Sequence, residues 1–158
     1  MALLVKEILV DTIKKSVIKF SSPQDENFYT VGNLTGSISL LELTGANLGN
    51  INESPTIGIS RISWNMPLST ASAESPWFAV AWGISGAASA TGSTGSIYLT
   101  SNGSMDFSSF GCLHTNKQPG NYNGSIVLYN HSIIDAGAPV SIIIELLKTQ
   151  GYGVRIGT

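Results

Sequence analysis

The sequence predicts an all-β protein, an antiparallel β-sandwich of jelly-roll-like form with an N-terminal arm. Three observations lead there. Apolar residues alternate with small or polar ones in eight or nine short segments. Stretches rich in Gly, Ser, Asn and Pro separate them, at 21–27, 44–55, 65–76, 84–95 and 114–123. No segment after residue 20 keeps a persuasive helical period. Many short strands between turn signals build two packed sheets.

The elements follow in chain order. In residues 2–13, Leu3, Leu4, Ile8 and Leu9 would line one face of a helix, but Val5 and Val10 dilute that face. An extended arm or an edge strand is the expectation for residues 1–14, and a single sandwich domain for 15–158. SVIKF at 16–20 puts Ile18 and Phe20 on one face. SISLLEL at 37–43 sets Ile38 and Leu40 against Ser37 and Ser39. In residues 57–64 the apolar face switches, from Ile57 and Ile59 to Ile62 and Trp64, and a bulge near Ser60 accomplishes the switch. WFAVAWG at 77–83 pairs a bulky face, Phe78, Val80 and Trp82, with a small one, Ala79 and Ala81.

Strands at 96–100 and 105–110 flank SNGS, where Asn102-Gly103 signals a type I′ hairpin. GSIVLY at 124–129 is another strand. VSIIIELL at 140–147 is almost continuously apolar, as a central strand covered on both faces would be. Ile62, Trp64, Phe78, Val80 and Trp82, on two adjacent strands, are expected to fill much of the interior. Trp77 follows Pro76 and is expected to pack at a strand edge or rim. The alternative places Trp77 and Tyr122 on the surface, stacking on a sugar ring.

Composition narrows the function. The chain is 42% hydrophobic, enough for a core, and 11% charged, against about 25% in an average soluble domain. No run of about 18 apolar residues exists, so no membrane-spanning helix is expected. Eight Lys and Arg, without aromatic or Arg-rich companions, do not make a nucleic-acid surface. A neutral exterior of Ser, Thr, Asn and Gly repels neighbours poorly and suits a subunit covered by other protein, so a homo-oligomer, trimer or dimer, is expected. The apolar start is broken at Lys6 and Glu7, unlike a secretion signal, and assembly in a cytoplasm is the expectation.

Catalytic signals are weak. Cys112, the single cysteine, lies two residues from His114, with Asp106 upstream. A nucleophile and base need contact geometry and an orienting group, which spacing does not supply, so Cys112 reads as a small buried hydrophobe. His114 and His131 lack the companions of a zinc site. GSTGS at 92–96 lacks the lysine and helix of a phosphate loop. Glu145 is expected at solvent or a subunit boundary; if buried it needs Arg61 or Lys148. Asn-x-Ser/Thr triplets begin at Asn33, Asn52, Asn102, Asn123 and Asn130 and are read as turn markers. No catalytic, cofactor or metal residue is assigned, and the expectation is a non-enzyme.

One ordered set of motifs is informative: KSVIKF at 15–20, ISRISWN at 59–65, FAVAWG at 78–83, IYLTSNGSMDF at 97–107, GSIVLYN at 124–130 and VSIIIELLK at 140–148. Together, over most of the chain after residue 14, they resemble small β-rich virion proteins of marine tailed phages. The loop at 84–95 departs from that resemblance by its length. The resemblance implies a virion structural protein, assembled in the host cytoplasm. Its first form is a capsid decoration or cement protein that binds the major capsid protein through its N-terminal arm, with Leu3, Leu4, Ile8 and Leu9 as contacts. The alternatives are a tail, baseplate or fibre adaptor, and a carbohydrate-binding receptor-recognition module using Trp77 and Tyr122. No cofactor, nucleic acid or membrane is implied.

Overall fold

A computed structural model describes residues 2–23, 34–39, 42–43, 56–66, 77–84, 93–111, 113–114, 122–131, 134 and 139–150. These residues form eleven strands: β1 Ala2–Leu3, β2 Val5–Asp11, β3 Lys15–Ser21, β4 Leu34–Ser39, β5 Thr56–Asn65, β6 Trp77–Ile84, β7 Ser93–Thr100, β8 Asn102–Asp106, β9 Leu113–His114, β10 Tyr122–His131 and β11 Ser141–Gln150. A 3-10 turn at Ser108–Phe110 follows β8. No α-helix occurs among the described residues. The all-β expectation therefore holds, as two antiparallel sheets. Strand takes both ends of the long 84–95 loop. Leu40, Cys112 and most of the loop residues lie outside the described residues.

The first sheet has the order β1-β4-β10-β6-β7, and the second β2-β3-β11-β5-β8, with β9 also on β5. All pairs are antiparallel except the short β1–β4 contact. Alternation decides what lies between the sheets. From the second sheet come Ile18, Phe20, Ile57, Ile59, Ile62, Ile142, Ile144 and Leu146; from the first, Leu34, Ile38, Phe78, Val80, Leu99, Ile126 and Leu128. Each is at most 1% exposed, and burying such a side chain contributes about 1.5–3 kcal/mol. At Gly36 a Cβ would stand 3.0 Å from the Phe20 ring, so any larger residue there would have to press the ring aside by a few tenths of an ångström.

The bulge in β5 falls at Ser60. Arg61 pairs with Glu145 and Ile59 with Leu146, leaving Ser60 as the extra residue. Its hydroxyl donates to the Glu145 carbonyl at 3.1 Å. The extra residue restores the inward direction, so Ile57, Ile59 and Ile62 all reach the core.

Four readings are corrected. Asn102-Gly103 does not close a hairpin: β7 pairs with β6, whereas β8 pairs with β5 in the other sheet. The left-handed residue is Ser101, φ 55°. The chain crosses between layers there, and Trp64 braces the crossing. Its indole Nε1 donates to the Thr100 carbonyl at 2.9 Å, and its ring lies over Gly103, where a Cβ would come within 2.8 Å. Second, β5 and β6 are not adjacent but lie in opposite sheets. Ile62, Phe78 and Val80 are core, Trp64 is only partly buried, and the Trp82 side chain lies outside the described residues.

Third, β11 is central in its sheet but covered on one face only. Ile142, Ile144, Leu146 and Lys148 point inward, while Leu147 is 42% exposed. Fourth, Asn130 marks no turn. It lies in β10, fully buried, and its Oδ1 accepts the Leu34 N–H at 2.9 Å. Asn123 also lies in β10, and Asn102 opens β8.

Candidate functional site

The N-terminal segment serves both sheets. β1 adds to the first sheet beside Leu34 and Thr35, and β2 adds to the second beside β3. Between them Leu4 donates its N–H to the Thr35 carbonyl at 2.8 Å and buries its side chain to 6% exposure. Leu4, expected among the partner contacts, is therefore core. Adjacent residues on an extended chain face opposite ways, and Leu3, its neighbour, is 69% exposed.

Beyond Leu4 the chain forms the outer strand of the second sheet. Val5, Ile8, Leu9 and Val10 are 37–55% exposed, and Ile13 in the following turn is 43% exposed. Ile8 shares a face with the buried Ile18 yet stays open, so the first sheet does not extend over it. Leu9 is the extra residue of a second bulge, between the pairs Ile8–Ile18 and Val10–Val17. Six of the eight large apolar side chains exposed among the described residues belong to residues 3–13. The exposed apolar side chains thus concentrate on one segment of the chain instead of being scattered over the described surface.

Two ion pairs hold this edge to the sandwich. Lys6 Nζ meets Glu42 Oε1 at 2.5 Å and the Ser37 carbonyl at 3.3 Å, joining the second sheet to the first. Both side chains are about a third exposed or more, so the contact contributes little net energy. Lys148 Nζ meets Asp11 Oδ1 at 2.7 Å and the Thr12 carbonyl at 2.6 Å. Its side chain is fully buried, and Ser16 Oγ donates to the same carboxylate oxygen at 2.6 Å. Lys148 faces inward and Glu145 outward, so Lys148 does not serve Glu145. Arg61 stands opposite Glu145 in register, with Asp106 on its other side.

Trp77 opens β6, an interior strand, and lies on the outer face of the first sheet, not at an edge. It stacks on His131, with centroids 4.2 Å apart and planes 5° from parallel, and meets Tyr98 edge-on at 4.9 Å. Tyr98 is 57% exposed, and sequence reasoning did not single it out. His131 Nδ1 is buried with no hydrogen-bond partner among the described residues. Tyr122 stands opposite Ile84, at the far end of the β6–β10 pair from Trp77 and His131. Seven residue steps separate the two positions, about 23 Å, so Trp77 and Tyr122 do not share one sugar subsite. The Tyr122 side chain lies outside the described residues.

Asp106, the last residue of β8, binds the first residue of the 3-10 turn. Its carboxylate accepts the Ser108 hydroxyl at 2.5 Å and the Ser108 N–H at 2.9 Å. These bonds, with the Arg61 charge, hold its pKa below the usual aspartate value. It is thus committed to a local turn. His114 lies opposite Gly58 in β9, its side chain outside the described residues, as is all of Cys112. Among the described residues no three His, Cys, Asp or Glu gather as a metal site, and no helix is long and apolar enough to cross a membrane. No family model matches the chain, and no curated protein or solved structure matches it.

Proposed function

We propose that this protein is a non-enzymatic virion structural protein, a capsid decoration or cement protein that binds the major capsid protein through its N-terminal edge. The observation that carries the reading is the exposed apolar edge formed by Leu3, Val5, Ile8, Leu9, Val10 and Ile13. A surface with so little charge gains from being covered, and several modest contacts on a repeating lattice add up by avidity.

We read the architecture more finely as a jelly roll. Numbering the eight main strands in chain order, with β3 as the first and β11 as the last, the sheets run 1-8-3-6 and 2-7-4-5. First pairs with last, second with seventh, third with sixth and fourth with fifth, as in a long hairpin rolled onto itself. Capsid and lectin domains use this architecture, though a fold alone never assigns function. On this reading residues 2–11 are an appendage to the roll that has zipped onto its edge.

Copy number on purified particles tests the function. A cement protein is present in hundreds of copies, and particles lacking it lose heads under heat or osmotic shock. A few copies per particle would mean a tail adaptor, and absence from particles would overturn the reading. A second reading, glycan recognition, is favoured by Trp77, Tyr98 and His131 on the open face of the first sheet. It requires glycan-dependent adsorption that Tyr98→Ala abolishes.

A further inference from the structure

The outer edge of β2 raises a specific question: which strand can lie against it. Natural sheet edges avoid promiscuous pairing with charges and bulges. β2 has both, in Lys6, Glu7, Asp11 and the Leu9 bulge. Yet it also shows apolar side chains on both faces. The combination favours a partner strand whose faces and charges match along the whole edge.

We propose that the matching strand is β2 of a second copy of this chain, running antiparallel about a two-fold axis between Ile8 and Leu9. This rests on the N-terminal edge being a partner-binding surface: the copy takes the β2 edge, and Leu3 and Ile13, exposed outside β2, remain open to the capsid protein. The bulge supplies the first argument. Lys6, Ile8 and Asp11 lie on the inward side of the sheet, with Phe20, Ile18 and Ser16; Val5, Glu7 and Val10 lie on the outward side. Across Leu9 the alternation slips by one. A straight partner strand matches faces on both sides of the bulge only by setting one of its residues against two of β2, as β3 already does around Leu9. A reversed copy of β2 brings the same slip to the same place. Lys6 then faces Asp11 of the copy on the inward side, Glu7 faces Val10 on the outward side, and Ile8 meets Leu9 at the bulge.

Charge supplies the second argument. Centring the axis on Lys6 opposes two ammonium groups, and centring it on Glu7 opposes two carboxylates. Centring it on Ile8 or Leu9 sends residues to the wrong face. The axis between Ile8 and Leu9 places no like charges opposite, and it sets Lys6 against Asp11 twice. Both groups already have partners in their own protomer, in Glu42 and Lys148, so the cross-strand attraction adds to satisfied charges. The apolar part of the contact is Ile8 and Leu9 at its centre, with Val5 and Val10 flanking.

The register makes a discriminating test possible at one exposed position. In this pairing Val10 faces Glu7 of the copy, twice over by symmetry. Val10→Lys adds two opposite-charge pairs and Val10→Glu two like-charge pairs. Light scattering on a dilution series of the purified full chain reads the monomer–dimer equilibrium, and thermal unfolding of each variant confirms the fold. The expected result is a wild-type dimer, tightened by Val10→Lys and weakened by Val10→Glu, each by about tenfold in dissociation constant. A wild-type monomer at every concentration overturns the proposal. So does a dimer, or a trimer, indifferent to both substitutions. If the monomer's occupancy of particles still falls with Val10→Glu, the edge serves the capsid alone, and the proposed function survives the loss of this inference.

Discussion

Lys148 Nζ, fully buried near the end of β11, lies 2.7 Å from Asp11 Oδ1 at the end of β2, across 137 residues of chain. The pair fastens the first hairpin to the central strand of its sheet. The backbone repeats the link, since Lys148 donates its N–H to the Lys14 carbonyl at 2.8 Å.

Removing one member of this pair strands the other. Asp11→Ala leaves the buried Lys148 ammonium without its carboxylate and costs about 3–5 kcal/mol. Replacing both, as Asp11→Ala with Lys148→Met, costs less than the two single changes together, because no charge is left buried. Urea unfolding of the four proteins in the cycle measures the coupling. Additive single changes would show that the pair does not interact.

The crossing from β7 to β8 depends on the fit of Trp64 over Gly103. Gly103→Ala puts a methyl group 2.8 Å from the Trp64 ring, which is held by its bond to Thr100. The expected loss is about 1–3 kcal/mol, as for overpacking elsewhere. Thermal unfolding checks it, and an unchanged midpoint would mean that the ring swings away freely.

Asn130 satisfies a buried N–H. Asn130→Ala leaves the Leu34 amide without its acceptor, at a cost of about 1–3 kcal/mol. Faster hydrogen exchange at Leu34 is the specific sign of that loss. Asn130 also begins an Asn-x-Ser triplet, and because its side chain is fully buried, the folded protein offers no amide there for glycosylation.

The Asp106 carboxylate has a direction in pH. Its pKa is lowered by the Ser108 hydroxyl, then by the Ser108 N–H and the Arg61 charge. The stabilisation it contributes is therefore present above the unfolded aspartate value, about 3.9, and is lost as pH falls through the lower folded value. Ser108→Ala should move the Asp106 carboxyl titration, followed by NMR, back up towards the ordinary value. A midpoint that stays put would remove the hydroxyl as the cause.

Particular residues show how much was legible in advance. The Ser60 bulge could be read because Ile57 and Ile59 demanded one face of the strand and Ile62 and Trp64 the other, a conflict confined to eight residues. The Asn102-Gly103 reading failed because the same dipeptide that closes a hairpin also suits a corner. The deciding fact was that β5, forty residues earlier, pairs with β8. Leu3 and Leu4 are alike in sequence, and only the docking of β1 on β4 sends one outward and the other into the core. Tyr98 carried no signal, since its meeting with Trp77 is made across neighbouring strands.

The sequence by itself determined a two-sheet β protein, because side-chain alternation is a local property of an extended chain and survives any pairing. Tertiary structure alone decided which strands pair, where the apolar edge lies open, and that Lys148 serves Asp11. Those depend on contacts between residues far apart in the chain, where energies of a few kcal/mol choose among arrangements that local pattern leaves equal.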